Sequence, residues 1–489
     1  MRYAALFMLL FLPAAASGSG APISKDSTYC LECHTYLNPG IVEDWKRSRM
    51  SGITPEEAMK IPETSRRVSF DNIPETLKKT VVGCAECHSL NAEGRADSFE
   101  HNGYEIVTVV SPGDCAVCHP VEADQYQENI MSHAYGNLEN NPLYHDLVKT
   151  ITGVPDFEKM GGTLDDPDEM TLNDSCRQCH GTHVKVEGMA VRDTDFGEME
   201  FPVLSGWPNQ GVGRVNPDGS NGACSACHTR HRFSIEMARK PHTCSQCHKG
   251  PDVPAYKVYE VSKHGNIYFS LGNEWKYETV PWAIGRDLTA PTCATCHVSL
   301  IVDSEGEVLA DRTHRMNDRL PWRIFGLIYA HPHPASPDTT IIRNSAGLPL
   351  PTDLTGEPAM QYLIGHEEQE LRRSRMQDVC VSCHSRSWVK GHFERYDNTI
   401  SKTNEMTLTA TRIMLEAWNK GVVKGISEKD GIFNEALEKK WVEHWLFYAN
   451  STRYSSAMGG ADYGVFAGGR WQMSKTVQEM AEVLLQEMK

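Results

Sequence analysis

Residues 224–248 read CSACHTRHRFSIEMARKPHTCSQCH and contain two copies of the pattern Cys-x-x-Cys-His. The pattern occurs eight times in the 489 residues and accounts for all 16 cysteines. Two thiols three residues apart can add to two vinyl groups on one edge of a porphyrin, and the next imidazole can then bind the iron as its proximal ligand. We therefore predict eight covalently bound haem c groups. The motifs are Cys30/Cys33/His34, Cys84/Cys87/His88, Cys115/Cys118/His119, Cys176/Cys179/His180, Cys224/Cys227/His228, Cys244/Cys247/His248, Cys293/Cys296/His297 and Cys380/Cys383/His384.

Other uses of paired cysteines fit the pattern less well. Zinc sites combine such pairs and do not require a histidine directly after each one. Disulfide frameworks do not repeat one local pattern eight times. Histidine makes up only 21 of the 489 residues, so its presence after all eight pairs is not a chance event.

The N-terminus has the pattern of an export signal. A basic residue at position 2 precedes an apolar stretch and then a group of small residues, which predicts a signal peptide over residues 1–18. The apolar stretch is shorter than the roughly 20 residues that a membrane span needs. We expect a mature chain in the periplasm, without a stable membrane span.

The spacing of the motifs predicts the domain organisation and a mainly α fold. The motifs follow one another from residue 30 to residue 384, so we interpret residues 19–404 as one cytochrome domain organised around its eight haems. Residues 405–489 contain no cysteine and show helical periodicity over 410–422, 432–448 and 477–488. We expect a C-terminal bundle of long helices that caps the haem domain.

The composition limits the class of partner. A formal net charge of −16 argues against binding to nucleic acid, which proteins attract with basic surfaces. The same charge suits a soluble redox partner with a basic docking face, such as a small cytochrome c.

Ligand counting does not identify a reactive haem. A haem held by two histidines is saturated and can only carry electrons, whereas one with an open axial position can bind a substrate. Thirteen histidines remain outside the motifs, which exceeds the number needed to saturate every haem.

The central part of the chain resembles the octahaem hydroxylamine oxidoreductases. The resemblance rests on "HTRH" at 228–231, "ARKP" at 238–241, "GPD" at 250–252 and "SKHG" at 262–265, and it extends over the whole mature chain. It implies seven bis-histidine haems and a five-coordinate catalytic haem at the fourth motif, with His180 as proximal ligand. It also implies a homotrimer. In the oxidising members a tyrosine of a neighbouring subunit is bonded to the catalytic porphyrin.

The resemblance assigns further iron ligands one position at a time. It implies that His231, His264 and His314 are distal ligands, and two more histidines, His101 and His133, fit the same role. The chain departs from the pattern at position 50, where methionine stands in place of a ligand histidine. Met50 is either an iron ligand itself or a packing residue. In the second case another histidine takes the place of the missing ligand.

The catalytic pocket that the resemblance implies is only partly matched. The family carries an Asp-His pair that handles substrate protons, whereas this chain has Asp252 followed by Val253. A pocket tyrosine of the family falls on Phe325. Tyr463, in "GGADYG", takes the place of the cross-linking tyrosine, with Tyr454 as a rival for the match.

These matches predict an enzyme that acts on small nitrogen compounds. The first hypothesis is the oxidation of hydroxylamine or hydrazine at the fourth haem, with Asp252 accepting protons and Tyr463 modifying the haem. The second is a reductase in the same family that makes ammonia from nitrite or hydroxylamine. The third is an electron-transfer cytochrome in which all the irons are saturated.

Overall fold

The computed structural model describes residues 20–156, 164–425 and 431–488. The expected signal peptide, residues 1–18, lies outside the described residues. Within the part of the chain that is described, no helix combines the length and the apolar character that a membrane span requires. The prediction of a mainly α fold is confirmed, because helices dominate the structure and strands are few and short.

Among the described residues, fifteen short α-helices and long connections form the part of the chain that carries the first seven motifs. Several helices begin with proline, whose fixed φ suits the first helical position and whose missing N–H costs nothing there. The helices are α1 (Lys25–Leu37), α2 (Pro39–Lys46), α3 (Pro55–Met59), α4 (Ala85–His88), α5 (Pro112–Cys115), α6 (Pro120–Gln127), α7 (Ala134–Glu139), α8 (Pro142–Thr152), α9 (Glu169–Asp174), α10 (Cys176–His180), α11 (Ile235–Arg239), α12 (Pro241–Ser245), α13 (Ala255–Glu260), α14 (Lys263–Leu271) and α15 (Cys293–His297).

The motifs themselves fold as single helical turns. The backbone N–H of the motif histidine donates to the carbonyl of the first cysteine in five of them, for example from His248 to Cys244 at 2.9 Å and from His88 to Cys84 at 2.9 Å. Residues four apart lie on the same face of a helical turn. The turn therefore presents the thiols and the imidazole to the same side of the chain.

The strands form small antiparallel hairpins and one three-stranded sheet. The hairpin of β1 (Ser98–His101) and β2 (Tyr104–Val107) turns through Asn102 and Gly103, both with positive φ, as two-residue hairpin turns require. The turn fixes His101 at the end of its strand. The others are β3 (Val154–Pro155) with β4 (Leu164–Asp165), β5 (Lys185–Thr194) with β6 (Gly197–Ser205), and β7 (Trp282–Ala283), β8 (Ile301–Val302) and β9 (Val308–Ala310).

The C-terminal part contains the long helices that the sequence predicts. They are α16 (His366–Val381), α17 (Arg386–Asn419), α18 (Ala436–Val442), α19 (Asn450–Met458), α20 (Ala461–Val465) and α21 (Arg470–Glu487), and a π-helical segment, Glu443–Ala449, joins α18 to α19. Helix α17 has 34 residues and is continuous across residue 404, where the sequence placed the domain boundary. The bundle and the haem domain therefore share a helix.

Aromatic side chains hold the bundle together. Trp441 is fully buried and packs edge-on against Trp418 at 5.5 Å and against Trp445 at 5.9 Å between ring centres. Buried indole N–H groups need acceptors. The indole N–H of Trp441 donates to the Thr411 hydroxyl at 3.0 Å. The indole N–H of Trp418 donates to the Glu438 carboxylate at 2.9 Å.

We expect Trp441→Ala to lower the free energy of unfolding by about 3–5 kcal/mol, because it removes a large side chain from a packed core and leaves a cavity. Thermal unfolding followed by far-UV circular dichroism measures the loss. Phe196→Ala, at a position 64% exposed in the β5–β6 turn, is the control and should leave the midpoint unchanged. Equal midpoints for the two variants would contradict the packing role of Trp441.

Candidate haem-binding cavity and active site

One connected cavity of about 3070 Å³ runs through the protein. All sixteen cysteines and all eight motif histidines line it. The remaining wall is largely apolar, with residues such as Val68, Phe70, Leu320 and Phe393. Porphyrins are large apolar groups, so a common apolar interior suits eight of them attached at these cysteines.

Four motif histidines face a second imidazole across this cavity. The distances between ring centres lie between 6.2 and 6.5 Å. The pairs are His34 with His101 (6.2 Å), His88 with His231 (6.5 Å), His228 with His314 (6.5 Å) and His384 with His264 (6.2 Å).

These separations fit a metal ion between two imidazoles. A metal–nitrogen bond of about 2 Å on each side, with roughly 1 Å from each nitrogen to its ring centre, places facing rings about 6 Å apart. The buried Nδ1 atoms of His101 and His314 have no hydrogen-bond partner in the described structure. Four of the five histidines expected as distal ligands thus lie opposite a motif histidine, and their role as ligands stays a prediction.

Backbone carbonyls orient several proximal imidazoles. The Nδ1 atom of His88 lies 2.7 Å from the Val107 carbonyl oxygen. The Nδ1 atom of His297 lies 3.0 Å from the Met316 carbonyl oxygen. For His180 the acceptor is Ala134, at 3.3 Å. A proton held on Nδ1 leaves Nε2 free to bind a metal.

Several motifs are direct neighbours through their cysteines. The cysteine side chains lie close together in the pairs Cys30 and Cys84, Cys115 and Cys224, Cys179 and Cys247, and Cys244 and Cys293. The fourth motif is therefore a direct neighbour of the sixth, which in turn contacts the seventh. Porphyrins attached at these neighbouring cysteines would lie next to one another, which would suit electron transfer between them.

Charged and phenolic groups gather around the fourth motif. Asp252 lies within electrostatic range of both cysteines and of His180, and Arg323 lies within range of His180. Burial raises the pKa of the Tyr454 phenol well above its usual value, Arg323 opposes the shift and Asp252 adds to it. Tyr454 is therefore a neutral hydroxyl donor at neutral pH. Asp252, Arg323 and Tyr454 all line the cavity.

A buried network of hydrogen bonds fixes this pocket from behind. Asn450 donates to the Asp252 carbonyl at 3.1 Å and accepts from the Arg453 guanidinium at 3.1 Å. Arg453 also donates to the Ile324 carbonyl at 3.3 Å and to the Asn404 amide oxygen at 2.8 Å. Asn450 and Arg453 are completely buried. Because they lie on α19, the C-terminal bundle holds both walls of the pocket in one position.

The residues before the tight turn at Gly326 are pinned in the same way. His333 contacts the Trp322 carbonyl through Nε2 at 3.1 Å, and the backbones of Arg323 and His331 form a two-way hydrogen-bonded bridge. A Cβ at Gly326 would approach the Tyr329 carbonyl oxygen to 1.7 Å, so only glycine allows this turn.

The other expected pocket residues divide into two groups. Val253 and Phe325 line the cavity, as Asp252 and Arg323 do. Tyr463 does not line it. This residue is half-buried on α20, and its carbonyl accepts a hydrogen bond from Ser451 at 3.2 Å. Its role as a cross-link stays a prediction.

Two ligand assignments stay predictions as well. His133 is not among the residues that line the cavity, and its Nε2 lies 3.0 Å from the Gln127 carbonyl oxygen. Met50 does line the cavity. His119, His180, His248 and His297 face no imidazole at comparable distance within the residues that the structure describes.

Sequence reasoning missed Arg323, Asn450 and Arg453. No motif marks these residues, since a lone arginine in a loop and polar residues on a helix are ordinary features. Tyr454 was considered only as a rival to Tyr463. The signal that finds them is the tertiary contact between α19 and the 322–325 segment.

We expect His101→Ala to convert one low-spin haem to a high-spin haem, because the iron bound by His34 loses its second imidazole. Electron paramagnetic resonance and visible spectroscopy of the oxidised protein measure this change. His183→Ala, at an exposed histidine, is the control and should leave the spectra unchanged. Unaltered spin states in His101→Ala would refute the pairing.

Comparisons with known proteins agree with this cavity. Residues 213–317 and 354–430 match the family described as seven times multi-haem cytochrome CxxCH, and residues 114–200 match cytochrome c554 and c-prime. A curated relative of Kuenenia stuttgartiensis, named a probable nitrite reductase-hydroxylamine oxidoreductase fusion protein, is 27% identical over 372 residues, which are 73% of this chain. The match covers 34% of that relative, so the chain spans about a third of its length.

Solved structures extend the comparison to nearly the whole chain. A hypothetical multiheme protein is 40% identical in sequence and superposes with a TM-score of 0.89. The match covers 96% of this chain and 96% of that protein. A reducing HAO-like protein complex of Kuenenia stuttgartiensis shares the fold at 17% identity, with a TM-score of 0.60 over 95% of this chain and 85% of its own. Such families carry covalently bound haem c. The chain belongs to the multihaem cytochromes c.

Proposed function

We propose that this cytochrome is a periplasmic oxidoreductase of small nitrogen compounds, with eight haems, of which the fourth is the reaction centre. The observation that carries the proposal is the convergence of Asp252, Arg323 and Tyr454 beside the fourth motif, held by the buried Asn450 and Arg453. Fixed polar groups beside a haem can orient a substrate and move its protons.

The chain supplies protons and orientation. A haem with an open axial position supplies a site where a small nitrogen compound can bind and exchange electrons. Reduction of hydroxylamine breaks its N–O bond, consumes two electrons and two protons, and releases ammonia and water. The neutral Tyr454 hydroxyl is placed to donate hydrogen bonds to the departing oxygen, and Asp252 is placed to relay protons.

The pocket favours the reductive direction. Oxidation requires acceptors for the protons that the substrate loses, and Val253 and Phe325 offer apolar side chains where the resembling enzymes carry a histidine and a tyrosine. Electrons would enter from a reduced soluble redox protein and reach the fourth haem through the sixth, along the contact of Cys179 with Cys247.

Oxidation of hydroxylamine is the second candidate, and the position of Tyr463 favours it. Tyr463 lies on the outer side of the bundle, next to Val465 and Phe466, which are 41% and 66% exposed, and near Trp471, which is 61% exposed. Such an apolar surface suits a subunit contact in a homotrimer, in which Tyr463 would reach a neighbouring fourth haem. Hydroxylamine and one water would then yield nitrite, five protons and four electrons for a soluble acceptor.

We expect hydroxylamine to perturb the spectrum of one haem in eight. We expect Asp252→Asn to slow the reduction of hydroxylamine by about 100-fold, because proton transfer by a positioned group contributes on that order. Stopped-flow spectroscopy with a reduced viologen donor measures the rate. Asp193→Asn, at an exposed carboxylate of β5, is the control. If hydroxylamine, cyanide and nitric oxide leave every haem unchanged, the protein only transfers electrons.

The two directions differ in the state of Tyr463. We expect a trimer in native mass measurements that separates into monomers on denaturation, because reduction needs no porphyrin cross-link. Mass spectrometry of the denatured protein and of Tyr463→Phe distinguishes the cases. A covalent trimer that becomes monomeric in Tyr463→Phe, together with faster oxidation than reduction in the wild type, would establish the oxidative direction instead.

A further inference from the structure

The β5–β6 hairpin turns one of its two faces towards the first motif. Its register pairs Ala190 with Phe201, so these two side chains lie on the same face. Phe201 lines the haem cavity, and its ring lies 5.6 Å from that of Phe99 and 6.5 Å from that of His101 between ring centres. His101 in turn faces His34 of the first motif. This inner face of the hairpin therefore covers the site of the first haem.

The outer face of the hairpin points away from the cavity. Val191 pairs with Glu200, and Met189 and Glu198 lie two residues away on the same strands, so all four side chains share this face. Met189 and Val191 are 42% and 62% exposed, and both glutamates are exposed. None of the four lines the haem cavity, so their exposure does not depend on what the cavity holds.

The outer face combines apolar side chains with negative charge. Arg192, the basic residue of the stretch 189–200, lies on the inner face, where its guanidinium carbon is 5.4 Å from the centre of the Phe201 ring. It is therefore turned away from Glu198 and Glu200. An exposed apolar centre with charges of one sign beside it is typical of a surface that binds a partner of the opposite charge. The net charge of −16 on the whole chain favours the same kind of partner.

The first motif gives this surface a route into the protein. The side chain of Cys30 lies close to that of Cys84, which belongs to the second motif. A partner on the outer face would be separated from the first haem by a single layer of β-structure, and such layers are about 10 Å thick. An electron would cross this layer to the first haem and continue to the second.

We propose that the outer face of the β5–β6 hairpin, formed by Met189, Val191, Glu198 and Glu200, is the docking surface for a soluble redox protein with a basic face, and that electrons enter the chain at the first haem. In this step the partner is oxidised by one electron and the first haem is reduced by one, with no bond broken and no proton moved. The small face suits the weak, transient complexes that redox proteins form. The inference does not depend on which compound reacts at the fourth haem.

The test measures electron entry from a basic probe into the oxidised holoprotein. The probe is zinc-substituted mitochondrial cytochrome c, which has a basic face and a photoexcited porphyrin that donates one electron to a ferric haem. We expect Glu198→Gln/Glu200→Gln to lower the second-order rate constant by about 5-fold at low ionic strength, because opposite charges steer the encounter. High salt should remove the difference by screening the charges. Val191→Lys, which places a cation at the centre of the face, should also slow the transfer. Transient absorption of the zinc porphyrin triplet gives the rate constants.

Glu305→Gln/Glu307→Gln is the matched control, because both carboxylates are exposed in the β8–β9 turn, lie outside the cavity lining and change the net charge equally. It should leave the rate constant unchanged. Carbodiimide cross-linking followed by mass spectrometry should join lysines of the probe to Glu198 or Glu200. Equal slowing in the two double variants, or cross-links confined to other surfaces, would overturn the inference. A smaller native mass of Glu198→Gln/Glu200→Gln than of the wild type would instead assign this face to contact with a second copy of the chain.

Discussion

The structure depends on one geometric constraint, which is that all eight Cys-x-x-Cys-His turns present their thiols and imidazoles to a common interior. Each turn is a short helical segment, and in five of them a hydrogen bond runs from the histidine N–H to the first cysteine carbonyl. Each turn depends only on residues that are close together in the sequence. The convergence of eight turns on one cavity depends on the fold of the whole chain. The short helices and long connections of residues 20–156 and 164–365 follow from it, since the chain must pass around cofactors instead of packing regular elements against each other.

The C-terminal bundle has the opposite character and a complementary task. Its core is built from tightly packed indoles and aliphatic side chains, with Trp441 at the centre. One side of it carries Asn450 and Arg453 into the haem domain, where they bind the Asp252 carbonyl and the Ile324 carbonyl. A rigid bundle therefore positions a polar pocket inside a cofactor-built domain that has few regular elements of its own.

Burial explains why this pocket is suited to chemistry. Away from water, the pKa of Tyr454 rises and the phenol keeps its proton, while burial lowers the pKa of the Arg453 guanidinium to about 9. Arg453 compensates for its burial with hydrogen bonds to Ile324, Asn404 and Asn450. Arg453 thus ties α19 to the haem domain, although its buried Nε has no partner in the described structure, whereas the Arg323 side chain lines the cavity.

The sequence by itself determined the cofactor class and the mainly helical fold. It could do so because haem attachment requires a fixed local pattern and because long helices leave a periodic signal. It also selected His101, His231, His264 and His314, which the fold sets opposite motif histidines. Which histidine faces which, and which thiols touch, depends on contacts between residues far apart in the chain. Only the tertiary structure therefore brought Arg323, Tyr454 and Asp252 together, because no local pattern records a meeting of residues some 200 positions apart.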